Sequence, residues 1–144
     1  MTVRPEVVLA RLAHLSRALA QLERLAALPR AQRASDVLFQ LAAERALHVA
    51  AEAIFDIGHH VLAGRGLPVP AQYRDVLPAL ARAGVVPPDV VERVEGLAGL
   101  RNLLVHDYAD VDAERLWALI EGRLDDLRAI QDSLATLPEL GRSR

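Results

Sequence analysis

Along most of this chain apolar residues return every third or fourth position, and Pro and Gly cut that rhythm into segments. In "RPEVVLARLAHLSRALAQLERLAAL" the stripe is Val8, Leu12, Leu15, Leu19, Leu22 and Leu25. That is helical spacing, with Pro5 suited to a first turn and Pro29 ending the run. "SDVLFQLAAERALHVAAEAIFDIGHHVLAG" predicts a second long helix with a stripe through Leu38, Leu41, Ile54, Ile57 and Val61, closed by "GRG" at Gly64–Gly66. "LPVPAQ" reads as a loop. "YRDVLPALARAG" predicts a short third helix, weakened by Pro78 and ended at Gly84. "PPDVVERVEGLAGLRNLLVH" predicts one long helix behind two prolines. "DVDAERLWALIEGRLDDLRAIQDSLATL" predicts the last, capped by Asp110 or Asp112, with Leu116, Ile120, Leu124, Leu127, Leu134 and Leu137 facing the core. Nothing alternates with period two, so no strand is expected. The pattern predicts an all-α bundle of four long helices plus a short one, as a single domain over residues 1–144 with 139–144 as a flexible tail.

Composition narrows the function classes. Hydrophobic residues make up 52% of the chain and aromatics only 3%, so the core must be aliphatic. Cysteine is absent, which excludes disulfides, thiolate catalysis and Cys-based zinc sites. The formal net charge of −2 offers no bulk attraction to nucleic acid. All 17 basic residues are Arg, which reads as compositional bias before it reads as phosphate recognition. No apolar run approaches the roughly 18 residues of a membrane span, and "MTVRPEVVLA" lacks a signal-peptide pattern. A soluble, cytoplasmic protein is expected.

The stretch "RNLLVHDY" breaks the monotony: Arg101, His106 and Tyr108 place a fixed cation, an imidazole and a phenol within eight residues. At about 100° per residue, Arg101 and Tyr108 fall within roughly 20° of each other, whereas His106 lies about 140° from Arg101. Two arrangements reunite them. The helix ends near His106 and the chain turns back, as the caps in "DYADVD" favour, or Arg101 of one copy meets His106 of another. Taken singly, each residue has a plainer use. Arg101 can pair with Glu95, Asp107 or an acid on the second helix. His106 can serve as a helix-end cation, and Tyr108 as a core edge with a wet tip.

Together they suit one chemistry. In an RNA phosphodiester the 2′-hydroxyl is an internal nucleophile, so neither a protein nucleophile nor a metal is required. His106 can act as general acid or base near neutral pH. Arg101 can meet the charge that develops on the phosphorane oxygens. Tyr108 can donate to phosphate or orient His106, although a phenol with a pKa of about 10 is a poor base. Asn102 can hydrogen-bond the phosphate or steady a neighbour.

Other candidates are weaker. His59 and His60 point about 100° apart on a helix. His48, Glu52 and Asp56 recur at four-residue spacing, open either to a metal site or to a polar seam in which Glu52 holds Arg101 by a carboxylate pair. Gly96 and Gly99 favour close helix or subunit approach, and Trp117 favours core or interface packing.

The motif resembles the Arg-x4–6-His-x-Tyr signature of HEPN domains, with Asn102 as the polar residue after the Arg. The context from Glu44 to Asp112 resembles the HepT-like branch: a long helix with an acidic residue, a Gly/Pro loop, "YRDVLPALARAGVVP", then the motif. The resemblance implies a homodimeric HEPN bundle and a metal-independent endoribonuclease toxin of a type VII toxin–antitoxin system, without cofactor, leaving a 2′,3′-cyclic phosphate. It implies Arg101, His106 and Tyr108 as catalytic residues, supported by Asn102 and Glu52. It also implies an MntA-like nucleotidyltransferase antitoxin that silences the toxin by adenylylating Tyr108. The alternative it leaves open is a non-catalytic HEPN scaffold subunit of a nucleotidyltransferase complex.

Overall fold

The computed structural model describes residues 2–106 and 111–141, and of His106 its helical backbone. Helices α1 (Pro5–Ala26) and α3 (Val37–Gly64) form the centre, joined through the short α2 (Arg30–Ala34). They run antiparallel: the His60 imidazole at the end of α3 accepts the Arg4 N–H at the start of α1, at 2.9 Å. Val3 passes so close that a Cβ on Gly64 would fall 2.6 Å from its nitrogen, so residue 64 has to be glycine. Asp36 caps α3 by accepting the Leu38 N–H. Gly66, with φ +71°, ends it by turning the Leu67 N–H back to the Leu62 carbonyl.

A loop then leads to a 3₁₀ turn (Tyr73–Asp75) and α4 (Val76–Arg82). Starting the α-helix at Val76 puts Pro78 in its first turn, where a missing N–H costs little. The predicted fourth helix is two. α5 (Pro88–Arg93) and α6 (Leu97–His106) are separated by a turn over Val94–Gly96. Glycine at 96 makes that break inexpensive, and the restart at Leu97 buries Leu97, Ala98 and Leu104.

The predicted last helix is also two, α7 (Ala113–Gly122) and α8 (Leu124–Ala135), broken at Gly122–Arg123. Asp112 caps α7 by accepting the Glu114 N–H at 2.9 Å. Helix α8 returns antiparallel along α1, with Arg128 on Glu23 near its start. Part of the expected tail is ordered as α9 (Pro138–Gly141), where Glu139 takes both Arg65 Nε and Nη2. No strand occurs among the described residues. The core is aliphatic, with Phe55 the one fully buried aromatic among the described residues.

One predicted face is wrong. Leu38 and Leu41 are 65% and 53% exposed. Thirteen residues separate Leu41 from Ile54, which places them about 140° apart on a helix, so the assumed stripe crosses α3 instead of following it. The buried face at this end is Ala43, Ala46, Leu47 and Ala50. Alanines allow α3 to lie close to its neighbours and leave the larger Leu38 and Leu41 outside.

Helices α2 and α7 are tied by Arg33, whose side chain is only 5% exposed. It pairs with Glu121, as does Arg30 at 3.0 Å, and its guanidinium stacks 4.6 Å over the Trp117 ring. The hydrogen bonds from Arg33 and Arg30 hold the Glu121 carboxyl below the usual carboxylate range. A group whose folded pKa is depressed contributes stability above its unfolded pKa and loses it as pH falls. Glu121→Gln is therefore expected to lower Tm at neutral pH, with the gap to wild type closing as pH falls through the carboxylate range. Thermal melts across that range check this; a gap that does not change with pH would mean that Glu121 acts by packing alone.

Candidate active site

Arg101 lies in the middle of α6, with its side chain 13% exposed. Among the described residues three partners hold its guanidinium. Nε donates to Glu52 on α3, Nη1 to the neighbouring Asn102 Oδ1 at 3.2 Å, and Nη2 to the Tyr73 hydroxyl at 3.1 Å. The guanidinium carbon also sits 4.0 Å over the Tyr73 ring centre, a cation–π stack. Of the acids weighed for Arg101, the one on the second long helix, Glu52, is a partner, while Asp107 lies outside the described residues.

The α3 residues behind this contact form a polar seam. His48 Nε2 is 3.9 Å from the same Glu52 oxygen, and Asp56 lies 3.7 Å from Arg11 of α1. Partial burial pushes the Asp56 carboxyl up and the Glu52 charge adds to it, while Arg11, His59 and Arg101 oppose the shift. A metal triad is not what these residues build: among the described residues no three of His, Cys, Asp and Glu converge on a point that could hold an ion. His59 packs its ring 5.6 Å from Tyr73, and His60 is taken by the Arg4 amide.

His106 is the last residue of α6. The helix therefore keeps its register through the five steps from Arg101, and the two positions remain about 140° apart. Asp107, Tyr108 and Asp110 lie outside the described residues. Asn102 is exposed and touches Arg101 only by its oxygen. Among the described residues a Cβ added at Gly96 or Gly99 would meet nothing within 4 Å, so neither glycine serves a close approach to them. Both line an apolar groove between α6 and α7, with Leu97, Leu100, Leu103 and Leu119 among its walls.

Tyr73 is the residue of this site that sequence patterning did not single out. It precedes Arg101 by 28 positions and lies on a 3₁₀ turn with no apolar rhythm of its own. The one available signal was an aromatic in a chain that has few, directly behind a Pro-containing loop.

Solved structures share this fold along nearly their whole lengths. A tri-AMPylated HEPN toxin of Shewanella oneidensis, in complex with an MNT antitoxin, aligns with a TM-score of 0.80 at 22% identity, covering 90% of this chain and 96% of that one. The Bacillus subtilis cytosolic protein of unknown function YutE aligns with a TM-score of 0.83 at 22% identity, over 99% and 95% of the two chains. At the sequence level the chain is 27% identical over 81 residues to the mRNA nuclease HepT of Shewanella oneidensis, covering 56% of this chain and 61% of that protein. It is 29% identical over 104 residues to the tRNA nuclease HepT of Aphanizomenon flos-aquae, covering 69% and 71%. The family model "Ribonuclease HepT-like" matches residues 15–134, which takes in every element that builds the Arg101 contact. The chain belongs to the HepT-like ribonuclease family.

Proposed function

We propose that this protein is a metal-independent endoribonuclease toxin that cleaves RNA through its own 2′-hydroxyl and is silenced by nucleotidylylation of Tyr108. The observation that carries the reading is the held guanidinium of Arg101 in a chain of this family, on the helix that ends at His106. A guanidinium fixed on three sides presents its remaining donors in one orientation, as stabilisation of developing phosphorane charge requires. In the reaction a base takes the 2′-OH proton, the 2′-oxygen attacks phosphorus, and the P–O5′ bond breaks. The leaving 5′-oxygen receives a proton, leaving a 2′,3′-cyclic phosphate and a 5′-hydroxyl. His106 is the group assigned to proton transfer and Arg101 to the equatorial oxygens, while Asn102 and Tyr108 contact phosphate.

The working form in this reading is a homodimer. The Arg101 charge is met within its own chain by Glu52, with Asp56 close behind, so a bound phosphate needs further positive charge. A second copy would supply it, and would also offer a His106 to an Arg101 that stands about 140° from its own along the helix. The partner is a nucleotidyltransferase antitoxin, in line with the solved structure of a tri-AMPylated HEPN toxin in complex with an MNT antitoxin.

Cleavage by the purified protein is expected to persist in EDTA and to stop on RNA carrying a 2′-deoxy residue at the cut site. The nucleophile is then absent, while phosphate, base and sugar remain. Gel analysis of both substrates with product-end mapping checks this. Loss of activity in EDTA, or cutting at the 2′-deoxy position, would overturn the mechanism.

A further inference from the structure

We propose that Tyr73 is the positioning residue for Arg101, clamping the guanidinium plane without cancelling its charge; this rests on the ribonuclease reading above only for its catalytic consequence. The clamp has two parts. The ring supports the flat face of the guanidinium at 4.0 Å, and the hydroxyl accepts from Nη2 at 3.1 Å. Arginine has five N–H donors. Among the described residues Glu52, Asn102 and Tyr73 each take one from a different nitrogen, which leaves one donor on each terminal nitrogen for a substrate.

The three holders differ in electrostatic effect. Glu52 fixes the direction of Nε but offsets the positive charge that must meet phosphate. Tyr73 brings an uncharged acceptor and the negative face of a ring, so it fixes the plane and leaves the cation a cation. Asn102 is exposed and adjacent in sequence, and it can follow any rotation of Arg101.

Tyr73 is itself held. Its ring meets Phe55 edge-on at 5.1 Å and 76°, and His59 at 5.6 Å. Phe55 is fully buried and both partners belong to α3, the helix that also carries Glu52. One helix therefore supplies the carboxylate for Nε and the wall behind the Tyr73 ring. The 3₁₀ turn inserts that ring between α3 and α6, and the orientation of Arg101 follows from packing rather than from its own four flexible torsions. Such a clamp matters because a misplaced donor loses most of its value in the transition state.

The test compares Tyr73→Phe, which keeps the ring and removes the acceptor, with Tyr73→Leu, which removes both. Two quantities are read: the rotation rate of the Arg101 guanidinium by 15N NMR, with its Nε–H signal assigned by loss in Arg101→Lys, and kcat and KM for RNA. Tyr73→Phe is expected to speed guanidinium rotation and lower kcat by about tenfold with KM little changed, the low end of what one hydrogen bond to a charged group contributes. Tyr73→Leu is expected to do more of both. Wild-type rotation and kcat in Tyr73→Phe, with only a lower Tm in Tyr73→Leu, would overturn the proposal and leave Tyr73 a packing residue. If the wild-type protein cleaves no RNA, the ribonuclease reading fails, and the rotation rate decides the clamp: faster in Tyr73→Phe upholds it, unchanged overturns it.

Discussion

His106→Ala and Arg101→Ala are each expected to cut RNA cleavage by on the order of 10²–10⁴-fold, and to remove toxicity on expression. His106→Ala removes the group proposed for proton transfer and keeps a good helix former at the last position of α6, so circular dichroism should be unchanged. Arg101→Ala also removes the guanidinium from Glu52 and the Tyr73 hydroxyl, so a lower Tm is expected with the lost activity. Arg101→Lys separates charge from geometry. A single ammonium cannot meet Glu52, Tyr73, Asn102 and a phosphate at once, so Lys should fail nearly as badly as Ala.

Mixing the two inactive variants tests the shared site. If Arg101 of one copy works with His106 of the other, a mixed dimer contains one intact site and one doubly damaged site. Co-refolded Arg101→Ala and His106→Ala chains should then regain a substantial share of wild-type cleavage. No recovery from a demonstrated mixed dimer would place both groups of each site on one chain. Full cleavage by a folded His106→Ala variant would end its catalytic assignment.

Tyr108→Phe is expected to separate catalysis from control. Cleavage should fall only in part, because the proposed roles of His106 and Arg101 are left in place. The activity that remains should be insensitive to a co-expressed cognate nucleotidyltransferase, because the acceptor oxygen is gone. In the proposed mechanism a nucleotidyl group on Tyr108, two residues after His106 in sequence, would add phosphate charge and bulk that compete with RNA for the Arg101 donors. Intact-mass measurement after co-expression should show one or more AMP additions on wild type and none on Tyr108→Phe. Equal labelling of the Phe variant would move the acceptor, with Tyr73 the only other tyrosine in the chain. The engagement of Tyr73 with Arg101, Phe55 and His59 makes it a poor acceptor. An unlabelled wild type would mean that the partner inhibits by binding.

How far each feature could be read from the chain follows from the range over which it is encoded. The stripe Val8, Leu12, Leu15, Leu19 and Leu22 is buried as its spacing predicts, because helical periodicity is a property of a few adjacent turns. The Asp112 cap and the turn at Gly66 are equally local, each decided within six residues. The breaks at Val94–Gly96 and Gly122–Arg123 were not legible, although glycine marks both. A single glycine in a helix costs only about 1 kcal/mol, and whether the helix bends there depends on what the next segment gains by turning. At Arg123 that gain is visible, since its guanidinium reaches the Arg93 carbonyl at the end of α5 and the Asp126 carboxylate.

By itself, the sequence determined that this protein is helical, where its helices start and stop at capped ends, that its core is aliphatic, and which motif joins Arg101, His106 and Tyr108. Those follow from spacing, capping and residue chemistry within short stretches. Only the tertiary structure decided that Arg101 is held by Glu52, 49 positions earlier, and by Tyr73, 28 positions earlier. It also decided that Leu38 and Leu41 stay outside while alanines face the core. Contacts of that range arise when α3, the 3₁₀ turn and α6 pack together, and the packed arrangement depends on the summed shape and charge of all three faces, which no single stretch of the chain contains.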